Sequence, residues 1–461
     1  MTVRTAPGHN YGTYFTQHEE FDVSRPAGGD RVAQLRAAGI AAFQDLGLPT
    51  ATRGNEDWRF TSVAPIANST FGHSSGAVAT PTSLETVKDL VPWDDAWTTL
   101  VFVDGRLEYK LDNAAGADQL LVANLLSPEA ATDGRVETEL GRHAASDSNG
   151  FLALNSAFLD DGAVVLAGRE ARGVVHLVFL ASDSSEPQVT YPRSLVVAGP
   201  NSELTLLESY VGIGESVYFT DSVTELALEE GARISHYRYL HESPGAFHIG
   251  STRVSQGRDS TFGTTSFSRG CRVGRNDVLV RLLDEGAECD LRGLYFTDGR
   301  QHIDNHINVD HISGHTSSAQ YFKGILTDRS RAVFSGTTRI QKDAQKSAAT
   351  QADKNLILSE GARVNTKPSL VIFADDVQAT HGATAGAIPD EQVYYMLSRG
   401  LDLEEATSFL IKGFANEIID GIGLNPFRDY LESYFETSVP RYRFEGFGKA
   451  RAFGGPAQRV A

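Results

Sequence analysis

The chain has 461 residues, 41% of them hydrophobic, and a formal charge of -18 from 59 acidic and 41 basic residues. That length exceeds one ordinary core and asks for two or three domains, or one long repetitive domain with flanks. The negative charge repels phosphate backbones and argues against nucleic acid or an anionic membrane as the main partner. Two cysteines make no disulfide framework, no apolar h-region opens the chain, and no apolar stretch reaches the length of a membrane span. A soluble, cytoplasmic protein is the expectation.

In chain order, the segment 1–25 is expected to be poorly ordered. Asp30–Leu46 reads as a helix, with Val32, Leu35, Phe43 and Leu46 near helical spacing and Gly47 and Pro49 ending it. In the polar run 55–61, Trp58 needs a surface to dock on. The segment 72–96 is rich in Gly, Ser, Thr and Asp and reads as a loop or linker, and 124–142 carries modest helical signal. From 163 to 380, short β-branched runs such as 174–180, 194–198, 204–209, 221–228 and 369–373 alternate with turns. The corners Glu230-Gly231-Ala232-Arg233, Glu285-Gly286-Ala287-Glu288 and Glu360-Gly361-Ala362-Arg363 are near copies at unequal spacings. Repeated strands with similar corners fit a β-solenoid, in which each coil buries its inward residues against its neighbours; a β-sandwich is the competitor.

Beyond 385 the pattern turns helical. Pro389 suits a first helical position, and Asp390 and Glu391 favour the positive end of the helix dipole. Val393, Met396 and Leu397 form one face, and Gly400 fits a left-handed C′ position. Asp402 with Glu405 resembles a capping box for a helix whose apolar stripe is Leu403, Ala406, Leu410 and Phe414. Residues 426–435 can form a third helix, and the Gly- and Ala-rich tail from 446 is expected to be loose.

The chain has no G-x-x-x-x-G-K-[ST] run, so it should not hydrolyse nucleotide by itself, and it lacks G-x-S-x-G, H-E-x-x-H and C-x-x-C. An iron–sulfur cluster needs about four thiolate or imidazole ligands, which Cys271 and Cys289 cannot supply. Arg269, Arg272 and Arg275 would lower the Cys271 pKa if they lie close; an inert buried thiol is the alternative. His302, His306, His311 and His315 lie with Asp304 and Asp310 in one short run. On a strand, Ile303, Ile307 and Val309 face inward, and His302, Asp304, His306, Asn308 and Asp310 face outward. That face is either a polar surface, such as a partner interface, or a metal site. His381 shares parity with Val377 and Ala379, at the end of an otherwise apolar face. It is either a hydrogen-bonded structural residue or a neutral imidazole ligand to a metal whose other ligands come from a partner chain.

The runs 43–50 (FQDLGLPT) and 56–61 (EDWRFT), then 365–368 (NTKP), 374–377 (ADDV), 381–384 (HGAT), 390–392 (DEQ) and 398–400 (SRG), resemble the SufB/SufD family of iron–sulfur assembly subunits. The resemblance implies a mainly β fold: a right-handed parallel β-helix with N- and C-terminal helical regions. It divides the chain into a partly helical region 1–142, a core 143–385, an ATPase-docking region 386–445 and a tail 446–461. It implies a non-catalytic scaffold subunit that pairs with a SufB-like chain through the β-helix and binds a SufC-like ABC ATPase through its C-terminal helices. No ATP site of its own is implied. An iron–sulfur cluster is held transiently and shared with the SufB-like partner, with His381 as the metal-site residue. Gly382 directly after that histidine and no cysteine in 394–397 resemble the SufD branch rather than the SufB branch; Ala379 departs from relatives that carry a cysteine two residues before the histidine, so no thiol assists it. The alternative class is a β-helix carbohydrate-active enzyme, or a metal enzyme using the His302–His315 run.

Overall fold

The structure, a computed structural model, describes residues 12–24, 30–52, 55–73, 82–112 and 119–438. Its centre is built from ten-residue strands that alternate between two sheets. Each strand pairs in parallel with the strand two places away in sequence: Glu203–Gly212 with Arg233–Glu242, Phe247–Gln256 with Val273–Leu282, His302–His311 with Arg331–Ile340. One sheet ends at Arg363–Ile372 and the other at Gln378–Gly386. Parallel pairing of every second strand is a solenoid of about 7 turns, and it rules out the sandwich. Thr98–Val103 joins in parallel with Arg172–Ala181, so the stack begins upstream of the β-branched stretch.

The corners explain the repeated acidic-Gly pairs. One corner of each coil needs a left-handed residue, and Glu170, Asn201, Gly231, Asp259, Gly286, His315 and Lys346 all have positive φ there. Their amide N–H groups climb the stack: Asn201 donates to Glu230 O, Gly231 to Arg258 O and Asp259 to Glu285 O. Glycine, Asn and Asp tolerate this conformation with least strain. Glu230-Gly231 and Glu285-Gly286 occupy this corner. Glu360-Gly361 sits on the other corner, between Ala348–Ile357 and Arg363–Ile372. Between the sheets lies an apolar lumen that includes Leu177, Leu206, Val254, Phe262, Val280, Leu291, Ile307 and Phe334. Phe102, Phe179 and Tyr210 stack in register, with ring centroids 5.1 and 4.9 Å apart.

Two expectations fail at the N-terminal side. Of the segment 1–25, residues 12–24 form a helix, Gly12–Ser24, rather than a poorly ordered stretch, with Phe21 buried against Phe158 at 5.5 Å; residues 1–11 and 25 lie outside the described residues. The helical periodicity is weak, and the order comes from tertiary burial instead. Leu84–Leu90, inside the stretch read as linker, is also a helix, with Ser83 accepting from Thr86 N and Val87 fully buried. Asp30–Leu46 forms as expected and crosses Gly150–Ala157. A Cβ on Gly39 would stand 2.4 Å from Ala157 N, so only glycine permits this approach. Trp58 finds its surface: Phe151 lies 5.3 Å away, and Arg275 stands 3.9 Å over the indole.

A buried ion pair joins these N-terminal pieces to the coils. Arg193 and Glu225 are 0% exposed and 2.7 Å apart. Arg193 also donates to Asn155 Oδ1, Ser156 Oγ and Ala144 O. Glu225 accepts from the N–H groups of Gly141, His143 and Ala144. Burial pushes the Glu225 carboxyl up, but Arg193 and these donors outweigh it and hold it below its ordinary value.

Asp221, on the strand Tyr218–Leu228, has both carboxylate oxygens buried without a hydrogen-bond partner. Burial raises its pKa well above the ordinary carboxyl value, opposed only by Arg193. The folded state therefore keeps a proton that the unfolded chain releases. Stability contributed by the protonated group is present at low pH and falls as pH rises through the interval between the two pKa values. Asp221→Asn is expected to unfold at a higher temperature than the parent at pH 8, with the difference shrinking towards pH 4; calorimetry at both pH values checks it.

The C-terminal helices cover the second sheet. Pro389 is the N-cap of Asp390–Ser398, one position before the expected one. Gly400 has φ +94°, and Asp402 and Glu405 form the capping box. The third helix, Asn425–Ser438, extends past both expected ends. Ile411, Ala415, Ile418, Phe427, Leu431 and Phe435 pack on Tyr237, Tyr239, Phe267, Leu294, Phe296 and Ile325. The tail from 446 lies outside the described residues.

Candidate functional site

Two strands end the solenoid, Arg363–Ile372 in one sheet and Gln378–Gly386 in the other. Each pairs on one side only. Elsewhere in the stack the residues of inward parity are covered by the next coil. Here Val364, Thr366, Pro368 and Leu370 face Ala379, His381, Ala383 and Ala385 at an open mouth, and the strand carrying His381 is exposed nearly throughout. Ile372 and Phe373 add exposed apolar surface at 40% and 57%. Each of these edges thus carries unpaired backbone groups beside an exposed apolar stripe.

His381 lies on inward parity, in register with Gln351, as its spacing from Val377 and Ala379 predicts. Its imidazole is therefore presented at the mouth rather than locked into the core.

The His302–His315 run forms a strand and a corner, with the predicted parity. On the outward face, His302, Asp304 and His306 are covered by the chain's own segment 55–61, whereas Asn308 and Asp310 stay half-buried and Asp310 pairs with Arg339 at 3.2 Å. Thr61 Oγ1 donates to Asp304 Oδ2 at 2.6 Å and lies 2.9 Å from His302 Nε2. Arg275 donates to Asp304 at 2.6 Å and to Asp57 O at 2.8 Å. His306 Nε2 is 3.7 Å from Asp57. Burial lowers the pKa of both His302 and His306. His311 points into the lumen between Thr316 and Ser318, 2.8 Å from each hydroxyl, and burial brings its pKa down to about 4. His315 supplies a left-handed corner. Among the described residues, no group of three or more His, Cys, Asp or Glu side chains is placed to hold a metal ion.

Both cysteines are buried and unpaired. The arginines flanking Cys271 do not activate it. Arg269 pairs with Asp298, Arg272 lies over Phe247 and Arg275 is committed to Asp304. Burial raises the Cys271 thiol well above its ordinary pKa, so the inert reading holds.

Beside the mouth, a cleft of about 520 Å³ separates the last strand from the helix Leu403–Ile419, lined in part by Ile388, Phe409, Phe414, Asn355 and Glu417. Glu417 is 2.8 Å from Lys323. Hydrogen bonds from Lys323 and Tyr321 bring its pKa down to about 2. Tyr394, Tyr395 and Phe409 project from the helices at 57–59% exposure. Sequence reading found the helices but not these exposed aromatics, because periodicity marks the buried stripe only. Among the described residues, no helix is long and apolar enough to cross a membrane.

Residues 135–414 match the family model "SUF system FeS cluster assembly, SufBD core domain", and residues 7–172 match "SufBD protein N-terminal region". An iron–sulfur cluster assembly SufBD family protein of Synechocystis is 30% identical over 383 residues, covering 80% of this chain and 83% of the relative. The iron–sulfur cluster assembly protein SufD of Escherichia coli is 27% identical, covering 82% and 86%, and the chloroplastic protein ABCI7 of Arabidopsis thaliana is 27% identical, covering 84% and 82%. The chain belongs to the SufB/SufD family of the SUF iron–sulfur cluster assembly system.

Proposed function

We propose that this chain is the SufD-like, non-catalytic subunit of an iron–sulfur assembly scaffold. Family membership supports the assembly role. The open end of the solenoid carries the finer reading: two adjacent strands with one free edge each, and an inward stripe left exposed. A SufB-like chain with the same solenoid would continue both sheets across that edge. His381 then stands at the joint, where one imidazole from this chain meets ligands from the other, and the cluster under construction is cargo rather than a resident cofactor. The exposed aromatics Tyr394, Tyr395 and Phe409 fit a SufC-like ATPase against the C-terminal helices.

The test is co-expression with a SufB-like and a SufC-like partner. The double variant Ile372→Arg/Ala385→Arg sets two cations on the exposed end of the last coil. It is expected to reduce recovery of the SufB-like chain at least tenfold while its own unfolding temperature stays near that of the parent. His381→Ala should retain the partner and lower iron and sulfide per complex. Undiminished partner recovery in the double variant would refute pairing through this edge. Unchanged iron and sulfide in His381→Ala would remove the histidine from the site.

A further inference from the structure

The lumen is not apolar throughout. Where the coils from 203 to 282 stack, inward positions carry charged and titratable side chains. Glu208, His236, Arg238 and Glu242 come from one sheet and His248 from the other, each at most 4% exposed. Gly250 lets Arg238 cross between the sheets: a Cβ there would stand 2.1 Å from Arg238 Nη2. A cavity of about 10 Å³ beside His236 and Arg238 holds little more than one water, so solvent does not screen these charges.

The hydrogen bonds fix most of the protons. A guanidinium can only donate, so Arg238, 2.5 Å from His248 Nε2, makes that nitrogen an acceptor. The His248 proton is then on Nδ1, which donates to Glu242 Oε2 at 3.1 Å, and the ring is neutral. Burial lowers the His248 pKa, in keeping with a neutral ring. Thr220 Oγ1 donates to the other Glu242 oxygen at 3.0 Å, so both oxygens of that carboxylate accept. Arg238 also donates to Asn276 Oδ1 at 2.7 Å. Glu208 accepts from Thr224 Oγ1 at 2.8 Å and from Tyr210 Oη at 3.3 Å. Burial pushes the Glu208 carboxyl up, but His236, Arg238 and Thr224 outweigh it and hold it below its ordinary value. Tyr210, Tyr218 and Cys271, which face the same groups, are kept neutral by burial.

Two carboxylates thus stand against one guanidinium, and His236 is the group whose second proton the contacts leave open. Its Nε2 lies 3.0 Å from Glu208 Oε2 and its Nδ1 lies 3.0 Å from Thr264 Oγ1, and both of these oxygens can accept. We propose that His236 is a buried imidazolium donating to Glu208 and Thr264 at once, and that its proton is a pH-sensitive lock on the middle coils. The lumen is then neutral as two pairs: His236 with Glu208, and Arg238 with Glu242 through the neutral His248. Raising the pH until the proton leaves strands Glu208 as a buried anion, which is far costlier than a paired one. The folded chain holds a proton that the unfolded chain gives up in alkali, so this contribution to stability falls as pH rises. The lock goes beyond the assembly reading and does not depend on it.

The experiment is nitrogen-15 resonance spectroscopy of the full-length chain labelled at histidine, at pH 7. The His236 signals are assigned as those lost in His236→Gln or, where that chain does not fold, as those moved in Thr264→Val. Both ring nitrogens of His236 are expected to report a bound proton, and those of His248 only one between them. Glu208→Gln should turn His236 neutral at the same pH, because Arg238 and Glu242 then balance alone. From pH 7 to pH 9.5 the parent is expected to lose about 3 °C or more of unfolding temperature beyond the loss in Glu208→Gln/His236→Gln, which carries neither charge. A neutral His236 in the parent at pH 7, or an imidazolium that persists in Glu208→Gln, overturns the charge assignment. Equal losses in the parent and the double variant overturn the lock.

Discussion

Arg193→Ala is expected to cost about 3–5 kcal/mol, the range for breaking a buried ion pair by removing one partner. The substitution leaves the Glu225 carboxylate fully buried, with three backbone N–H groups as its only strong donors. It also strips Asn155 Oδ1, Ser156 Oγ and Ala144 O of the guanidinium. These contacts reach the helix Gly150–Ala157 and the segment 141–144 at once, so the loss should loosen the N-terminal region from the coils. Urea denaturation gives the magnitude through the shift in midpoint. Arg193→Met combined with Glu225→Gln should recover part of the loss, because the carboxamide oxygen can still accept from His143 and Ala144 and the group carries no charge. Equal destabilisation of the single and double variants would show that shape, not charge, sets the effect.

Phe427→Ala should lose a similar amount, about 3–5 kcal/mol for a large buried aromatic. The ring is fully buried and lies edge-on to Tyr237 at 5.7 Å and Tyr239 at 6.3 Å. Tyr237 Oη also accepts from Gly423 N, and Tyr430 Oη donates to Leu90 O, so the last helices are fastened to both the sheet and the N-terminal region. Truncation before Pro389 would bare this whole aromatic face and is expected to aggregate rather than report on partner binding. Surface variants separate this packing role from the proposed docking role. Tyr394→Ser with Phe409→Ser should leave the unfolding temperature nearly unchanged and weaken ATPase binding at least tenfold, whereas Phe427→Ala should lower the unfolding temperature first. Intact ATPase binding in the surface variant would move the docking surface elsewhere.

The features legible in the sequence were those whose cause is local. Asp402 and Glu405 cap a helix within four residues, and Gly400 ends one by its own φ. The inward parity of Ile303, Ile307 and Val309 follows from the pleat. Helix Gly12–Ser24 was missed because its order depends on Phe158, far along the chain. The cover over His302 and His306 was missed for the same reason: Thr61 and Asp57 reach them across more than two hundred residues.

The repeat itself was only half visible. Phe219 stacks on Phe247, Phe247 on Val273 and Arg331 on Arg363, so the offset from coil to coil is uneven and no fixed period marks it. The corners repeat because each coil needs a left-handed residue at one bend, and that need is local to the bend.

By itself, the sequence determined the short strands with repeated corners, the C-terminal helices and their caps, since strand parity, left-handed turns and capping are written in neighbouring residues; the resemblance, not the pattern, implied the parallel β-helix. Only the tertiary structure decided which polar residues are spent inside the molecule and which remain available. It enclosed His302, His306 and both thiols, left His381 at an open mouth, and gathered Glu208, His236, Arg238 and Glu242 in one lumen. The reason is physical: burial and counter-charge depend on which coil stacks on which, and coils of unequal length leave that register unreadable until the chain is wound.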